Sequence, residues 1–137
     1  MRRAFTVLLF VLIITGCRDR RNTLVPYVPV NITIDIGLPS FFPLTVPSGW
    51  VYITGGSRGI IIYRKTESEF VAIERHSTFE VEKQCAVAVL SDGIILDDPC
   101  SDSQWLIMDG SIVNGPTSAP LQLYHASYNP PYLTITN

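Results

Sequence analysis

Short runs of β-branched and aromatic residues, each cut off by a turn signal, constrain this chain more than any other feature. They fall at 30–36, 50–54, 59–64, 70–74, 86–90, 94–96, 121–125 and 132–136. Runs of this length and spacing predict an all-β chain, a small antiparallel sandwich or barrel, because such side chains suit a pleated, half-buried surface. No segment keeps a helical apolar period for three turns, so helices are not expected to carry the core. Leu38-Pro39 through Pro47-Ser48 is a proline-punctuated connection, and Thr54-Gly55-Gly56-Ser57 a glycine turn. No internal repeat or low-complexity tract interrupts the pattern. Asn31-Ile32-Thr33 has the form of a glycosylation sequon, but it falls inside the run 30–36 and reads as strand sequence.

The beginning of the chain has a different character. Met1-Arg2-Arg3 precedes an uncharged stretch of 13 residues, from Ala4 to Gly16, which Cys17 ends. A basic start, a short apolar core and small residues before a cut are the parts of a secretory signal. A spanning helix would need about 20 apolar residues, and Arg18, Asp19, Arg20 and Arg21 close this stretch at once. Ile14-Thr15-Gly16-Cys17 resembles the lipobox of bacterial lipoproteins. That resemblance implies removal of residues 1–16, a diacylglycerol on the Cys17 thiol and a polar, proline-bearing tether over 17–29. A lipoprotein carries two or three acyl chains, which anchor stably where one would not.

The remaining chain, 121 of the 137 residues, suits one domain over 30–137 that buries about two-thirds of its unfolded surface. Without Arg2 and Arg3 it has 8 Lys and Arg against 12 Asp and Glu, a formal net charge of −4. Three of the eight, Arg18, Arg20 and Arg21, lie beside the expected lipid, so the domain itself has no basic patch and nucleic acid is not an expected partner. Their expected role is a solvated tether near membrane head groups. Lacking an acidic run after Cys17, the anchor is expected in the outer membrane, facing the periplasm.

With Cys17 lipidated, Cys85 and Cys100 form an even pair in an oxidising compartment. Between them Asp92-Gly93, a favoured hairpin turn, is flanked by apolar runs. Positions equidistant from that centre pair with each other, and each cysteine stands seven residues from it. A Cys85–Cys100 disulfide is the economical expectation.

The most specific stretch is Asp97-Asp98-Pro99-Cys100-Ser101-Asp102-Ser103-Gln104-Trp105, followed by Asp109-Gly110-Ser111 and Asn114-Gly115-Pro116. Here the chain resembles a Rieske [2Fe–2S] domain, whose second ligand box reads Cys-Pro-x-His-Gly-Ser-x-Phe, followed by a loop of the form Asp-Gly-x-x-x-x-Gly-Pro-Ala. Pro99, Cys100, Ser103, Gln104 and Trp105 fit the box. Asp109, Gly110, Asn114, Gly115, Pro116 and Leu121 fit the loop, and 59–75 looks like the strand pair leading into the first box. The resemblance spans roughly residues 50–125. It implies a Rieske-type sandwich with three tip loops, at 76–85, 97–105 and 109–120, and it makes Cys85–Cys100 the accessory disulfide found in some members.

The departures decide the chemistry. A Rieske centre takes two thiolates and two imidazoles. The matching positions carry Ser77 and Phe79 in the first box and Asp98 and Ser101 in the second, so all four ligands are absent. Cys85, Cys100, His76 and His125 restore the count but not the spacing, because no cysteine precedes a histidine by two or three residues. Asp97, Asp98 and Asp102 read as a solvated acidic turn rather than a hard-cation site, since no further oxygen ligands accompany them. Ser101 or Ser103 with His76 or His125 lacks any Gly-x-Ser-x-Gly context for a nucleophile. Trp50 and Trp105 read as packing residues.

The expectation is therefore a non-enzymatic, lipid-anchored envelope domain with no catalytic or metal residues and no cofactor. It would serve as a structural module or bind an envelope protein. The alternative is an electron-transfer or oxidoreductase subunit with a true [2Fe–2S] cluster. Replacing Cys17 with Ala should abolish fatty-acid labelling and release the protein from the membrane fraction; continued labelling and sedimentation would exclude the anchor.

Overall fold

The segment Ile60–Arg64 (β3) is buried at every residue, which a continuous apolar run achieves only when both faces of the strand are covered. Ile60 and Ile62 point into one hydrophobic cluster, and Ile61 and Tyr63 into another. The fold is arranged around that division. The computed structural model describes residues 24–137. The expected leader 1–16, Cys17 and the arginines at 18, 20 and 21 lie outside the described residues.

The other strands are β1 (Asn31–Asp35), β2 (Trp50–Ile53), β4 (Phe70–Glu74), β5 (Ala88–Val89), β6 (Ile95–Asp97), β7 (Gln104–Leu106), β8 (Ile112–Asn114), β9 (Leu123–Asn129) and β10 (Tyr132–Thr136). A six-stranded antiparallel sheet runs in the order β1-β10-β9-β4-β3-β2, and a four-stranded one in the order β5-β6-β7-β8. The second sheet is an excursion between β4 and β9, which pair with each other through Ala72↔Tyr124 and Ile73↔Leu123.

Alternation assigns each sheet its contacts. Ile34, Leu133, Ile135, Tyr124, Ala72, Ile60 and Ile62 share one cluster, so the inner faces of the larger sheet converge and the sheet curls. The curl brings β1 close to the turn after β2: a Cβ at Gly55 would stand 2.7 Å from Ile32 Cδ1 and 3.2 Å from Ile60 Cδ1. On the outer face of β3 and β4, Ile61, Tyr63 and Ile73 meet Val87, Leu96, Trp105, Ile107 and Leu121. The chain is thus an all-β sandwich of a curled and a smaller sheet.

Several expectations change in detail. The Asp92-Gly93 centre holds, with Ala88↔Asp97 and Val89↔Leu96 in register, but the connection is longer than two residues. Leu90 N–H donates to Ile95 O at 2.8 Å, and Gly93 N–H to Leu90 O at 2.9 Å. Asp92 Oδ1 accepts the N–H groups of Ile94 and Ile95 at 2.8 and 3.1 Å, and these donors hold its carboxyl below the ordinary range. The register survives because the turn grows equally on both sides.

Run 86–90 shortens to β5 because the residues before it pair elsewhere: Val87 N–H donates to Arg75 O and Ser77 N–H to Cys85 O, at 2.7 and 2.9 Å. Loop 97–105 takes in the start of β7, and loop 109–120 contains β8. Both are three-residue strands, too short to show alternation, and β8 is exposed throughout. The proline-punctuated connection forms a 3₁₀ segment, Pro39–Thr45, and loop 76–85 a shorter one, Val81–Lys83.

Two polar devices close the larger sheet. Arg64 is buried, donates from Nη1 to Leu44 O at 2.9 Å, and lies over the rings of Phe70 and Tyr128. At the other end, the Asn137 side chain accepts Val30 N–H at 2.5 Å and donates to Val28 O at 3.2 Å. The last residues of the expected tether are therefore fastened to the residue that follows β10.

Because Ile61 joins the two layers, Ile61→Ala should cost about 3 kcal/mol, read as a lower midpoint in chemical unfolding. A loss under roughly 1 kcal/mol would show that the second sheet is not packed on β3.

Candidate functional site

The strongest polar assembly lies where 76–85 and 97–105 meet, at the end of the smaller sheet. Asp98 follows β6 directly and is 1% exposed. Its Oδ2 accepts the hydroxyl of Ser77 at 2.8 Å and that of Ser101 at 2.8 Å, while Oδ1 accepts Cys100 N–H at 2.9 Å. The local chain sets up two of these bonds. Asp98 O accepts Ser101 N–H at 3.1 Å, closing a turn through Pro99 and Cys100, so the carboxylate folds back over its own loop. Hydrogen bonds to a charged acceptor are roughly twice as strong as neutral ones, and here three donors converge on one buried carboxylate.

Three of the four positions singled out in the sequence thus come together, with Ser77 and Ser101 both donating to Asp98. Phe79 is half-buried, and its backbone closes the first loop: Phe79 N–H donates to Ser77 Oγ at 3.1 Å, and the Ser77 hydroxyl contacts Phe79 O at 3.3 Å. Beside them, Cys85 and Cys100 form the expected disulfide, with Cα atoms 6.3 Å apart. A loop of 15 residues closed in this way is worth about 3 kcal/mol in the chain-entropy model.

The third loop is drawn in by one carbonyl. Ala119 O accepts Thr78 Oγ1 at 2.9 Å, Trp105 Nε1 at 3.0 Å and Thr117 Oγ1 at 3.1 Å. Gly115, at φ +92, lies so close to Asp102 O that a Cβ would collide with it, so glycine is required there. Trp105 is fully buried, as expected of a packing residue, and Trp50 packs against the same cluster. Ser103 Oγ is the one buried side-chain polar atom without a hydrogen-bond partner among the described residues.

The other sequence candidates do not join the site. His76 is buried, with Nδ1 bonded to Ser57 Oγ and Nε2 to Val81 O, both at 2.8 Å. His125 is exposed on β9. Neither reaches Ser101 or Ser103, so no nucleophilic triad forms. Asp97 accepts Gln104 Nε2 at 2.8 Å and Asp102 is exposed. The only grouping of three metal-ligating side chains within 4.8 Å among the described residues is Cys85, Asp98 and Cys100, and the disulfide occupies both sulfurs.

A buried residue not singled out in the sequence organises the neighbouring turn. Glu74, fully buried at the end of β4, accepts the N–H groups of Ser57, Arg58 and His76 at 2.7, 3.0 and 2.8 Å and the Tyr124 hydroxyl at 2.6 Å. Burial first, then the Glu74 bond, holds the Tyr124 phenol above its ordinary range. The available signal was a glutamate in an inward strand position, paired with a Gly-Gly-Ser turn that could supply backbone donors.

Neither a family model nor a curated protein matches the sequence. Among solved structures, the plasma-membrane Rieske protein of Synechocystis is similar over 81% of this chain and all of its own (100%), with a TM-score of 0.51 and 12% identity. The ferredoxin of carbazole 1,9a-dioxygenase from Nocardioides aromaticivorans aligns over 80% of this chain and 98% of its own, with a TM-score of 0.49 and 12% identity. The likeness to the first shows the fold: a small antiparallel sandwich of Rieske type.

The donor set does not fit the group that this fold holds elsewhere. At the four positions that the sequence resemblance matches to cluster ligands, the chain carries two hydroxyls, a carboxylate and a phenyl ring, whereas a Rieske centre takes thiolates and imidazoles. The Ser77 and Ser101 hydroxyls are both engaged by the Asp98 carboxylate, and the orphaned Ser103 hydroxyl alone does not supply a ligand. Replacing Asp98 with Ala would leave both serines without their buried acceptor and should cost about 2–3 kcal/mol. Chemical unfolding of the oxidised protein measures it, and a neutral change would remove Asp98 from its central place.

Proposed function

We propose that this chain is a lipid-anchored domain of the bacterial cell envelope that uses a Rieske-type fold without an iron–sulfur centre. It acts as a partner-binding or structural module rather than as an enzyme or electron carrier. The observation that carries the reading is the Asp98 carboxylate accepting both Ser77 and Ser101. Hydrogen bonds there do the work of holding loops together, and no side chain at the four positions offers a thiolate or an imidazole. Fold alone is a poor warrant for chemistry, and the residues at this tip have become those of a stable polar core.

The lipobox resemblance belongs to the same reading. Cys17 and its lipid, with 17–29 as tether, would hold the domain at the outer membrane facing the periplasm. Its acidic balance leaves nucleic acid an unfavourable partner. An envelope protein is the expected one, and the disulfide suits an oxidising compartment.

The experiment is iron and acid-labile sulfide analysis of the wild-type protein, produced with its leader intact under iron-replete conditions. The protein should be colourless and free of both. Stoichiometric iron and sulfide with visible absorption would establish the alternative, a [2Fe–2S] electron-transfer subunit, and would overturn the proposal.

A further inference from the structure

Apart from the three-loop site, an open cleft of about 580 Å³ lies beside the turn after β2, lined by Tyr52, Gly56, Ser57, Arg58, Gly59 and Arg75 among others. Its two arginines come from different elements and are held differently. Arg75 donates from Nε to Val87 O at 3.0 Å, and its guanidinium carbon lies 4.2 Å from the centre of the Tyr52 ring. Tyr52 is fixed in turn by Val89 N–H, which donates to its hydroxyl at 2.9 Å. Gly59 brings the turn backbone to the edge of Arg75, and its φ of +100 is one that side-chain-bearing residues rarely adopt.

Those contacts use Nε and the flat face of the guanidinium. Neither Nη of Arg75 has a partner among the described residues, and neither does the side chain of exposed Arg58. The ion pairs among the described residues, Arg64–Glu67 and Lys83–Glu80, lie elsewhere. The carboxylate touching this turn, Glu74, is fully buried and satisfied by three N–H groups and the Tyr124 hydroxyl. The cleft therefore concentrates positive charge on an otherwise acidic protein, with one guanidinium already oriented.

A carboxylate is satisfied by a single bidentate arginine. Two guanidiniums approaching from different elements suit a tetrahedral group with more oxygens, and a guanidinium preorganised on an aromatic ring loses little freedom in binding one. We propose that the cleft between Tyr52, Arg58 and Arg75 binds a phosphoryl group, either on a soluble phosphate ester or on a phospholipid head group. The site is independent of the Ser77–Asp98–Ser101 assembly.

The test is titration of the full chain in neutral detergent at low ionic strength, following backbone amide shifts. Inorganic phosphate should give saturable shifts at 55–59, and acetate should bind clearly more weakly. Arg58→Gln, which removes an exposed side chain with no partner in the fold, should weaken phosphate binding about tenfold. Arg75→Gln should do the same, whereas Lys65→Gln, at the opposite end of β3, should leave it unchanged. Co-sedimentation with phosphatidylcholine vesicles, with and without phosphatidylglycerol, separates the sources. A phosphatidylglycerol-dependent gain lost in Arg58→Gln assigns the head group, and phosphate binding without that gain assigns the soluble ester. Shifts reproduced by chloride at equal ionic strength, acetate binding as tight as phosphate, or undiminished phosphate binding in Arg58→Gln would each overturn the proposal.

Discussion

A strand covered on both faces cannot shift register by one residue without exchanging the contents of two cores. β3 is in that position: Ile60 and Ile62 belong to the curled sheet's interior, while Ile61 and Tyr63 belong to the layer beneath the smaller sheet. Its neighbours inherit the constraint. β4 must present Ala72 inward and Ile73 outward to match, and Glu74 then falls on the inner side, where the turn before β3 supplies its donors. The smaller sheet in turn has a fixed platform, so the loops at its end meet in one arrangement.

At that end, one covalent and two polar ties converge within a short distance. The disulfide ties the first two loops covalently, the Asp98 carboxylate ties the same two through Ser77 and Ser101, and the Ala119 carbonyl gathers Thr78, Trp105 and Thr117. Buried polar groups are costly unless satisfied and specify geometry when they are. On the proposed reading, this network replaces metal bonds as the means of holding the loops.

Much of this was legible because local and long-range signals agreed. The hairpin centre at Asp92-Gly93 and the spacing of the cysteines pointed to one register, and both the register and the disulfide are found. Ser77, Asp98 and Ser101 were singled out together and lie together. The run 70–74 is β4, and 132–136 is β10. The missed strands, β7 and β8, are three residues each, and a period of two cannot be read from so few positions. The run 86–90 was overextended because pairing of 85–87 with 75–77 is a tertiary choice that no local pattern records. Glu74 went unread for a similar reason. A carboxylate inside a strand makes sense only once the distant Gly-Gly-Ser turn and Tyr124 are seen beside it.

The clasp of Asn137 on Val28 and Val30 bears on how the domain would carry load. A pull arriving along the residues before Val28 first meets a side-chain amide bonded on both sides of Pro29. Beyond it, β1 is registered against β10 from Asn31↔Thr136 to Asp35↔Tyr132. Traction along the strand axis would have to shear those bonds together rather than peel them singly. An anchor attached on this side would thus load the β1–β10 pair along the strand axis, at the edge of the larger sheet.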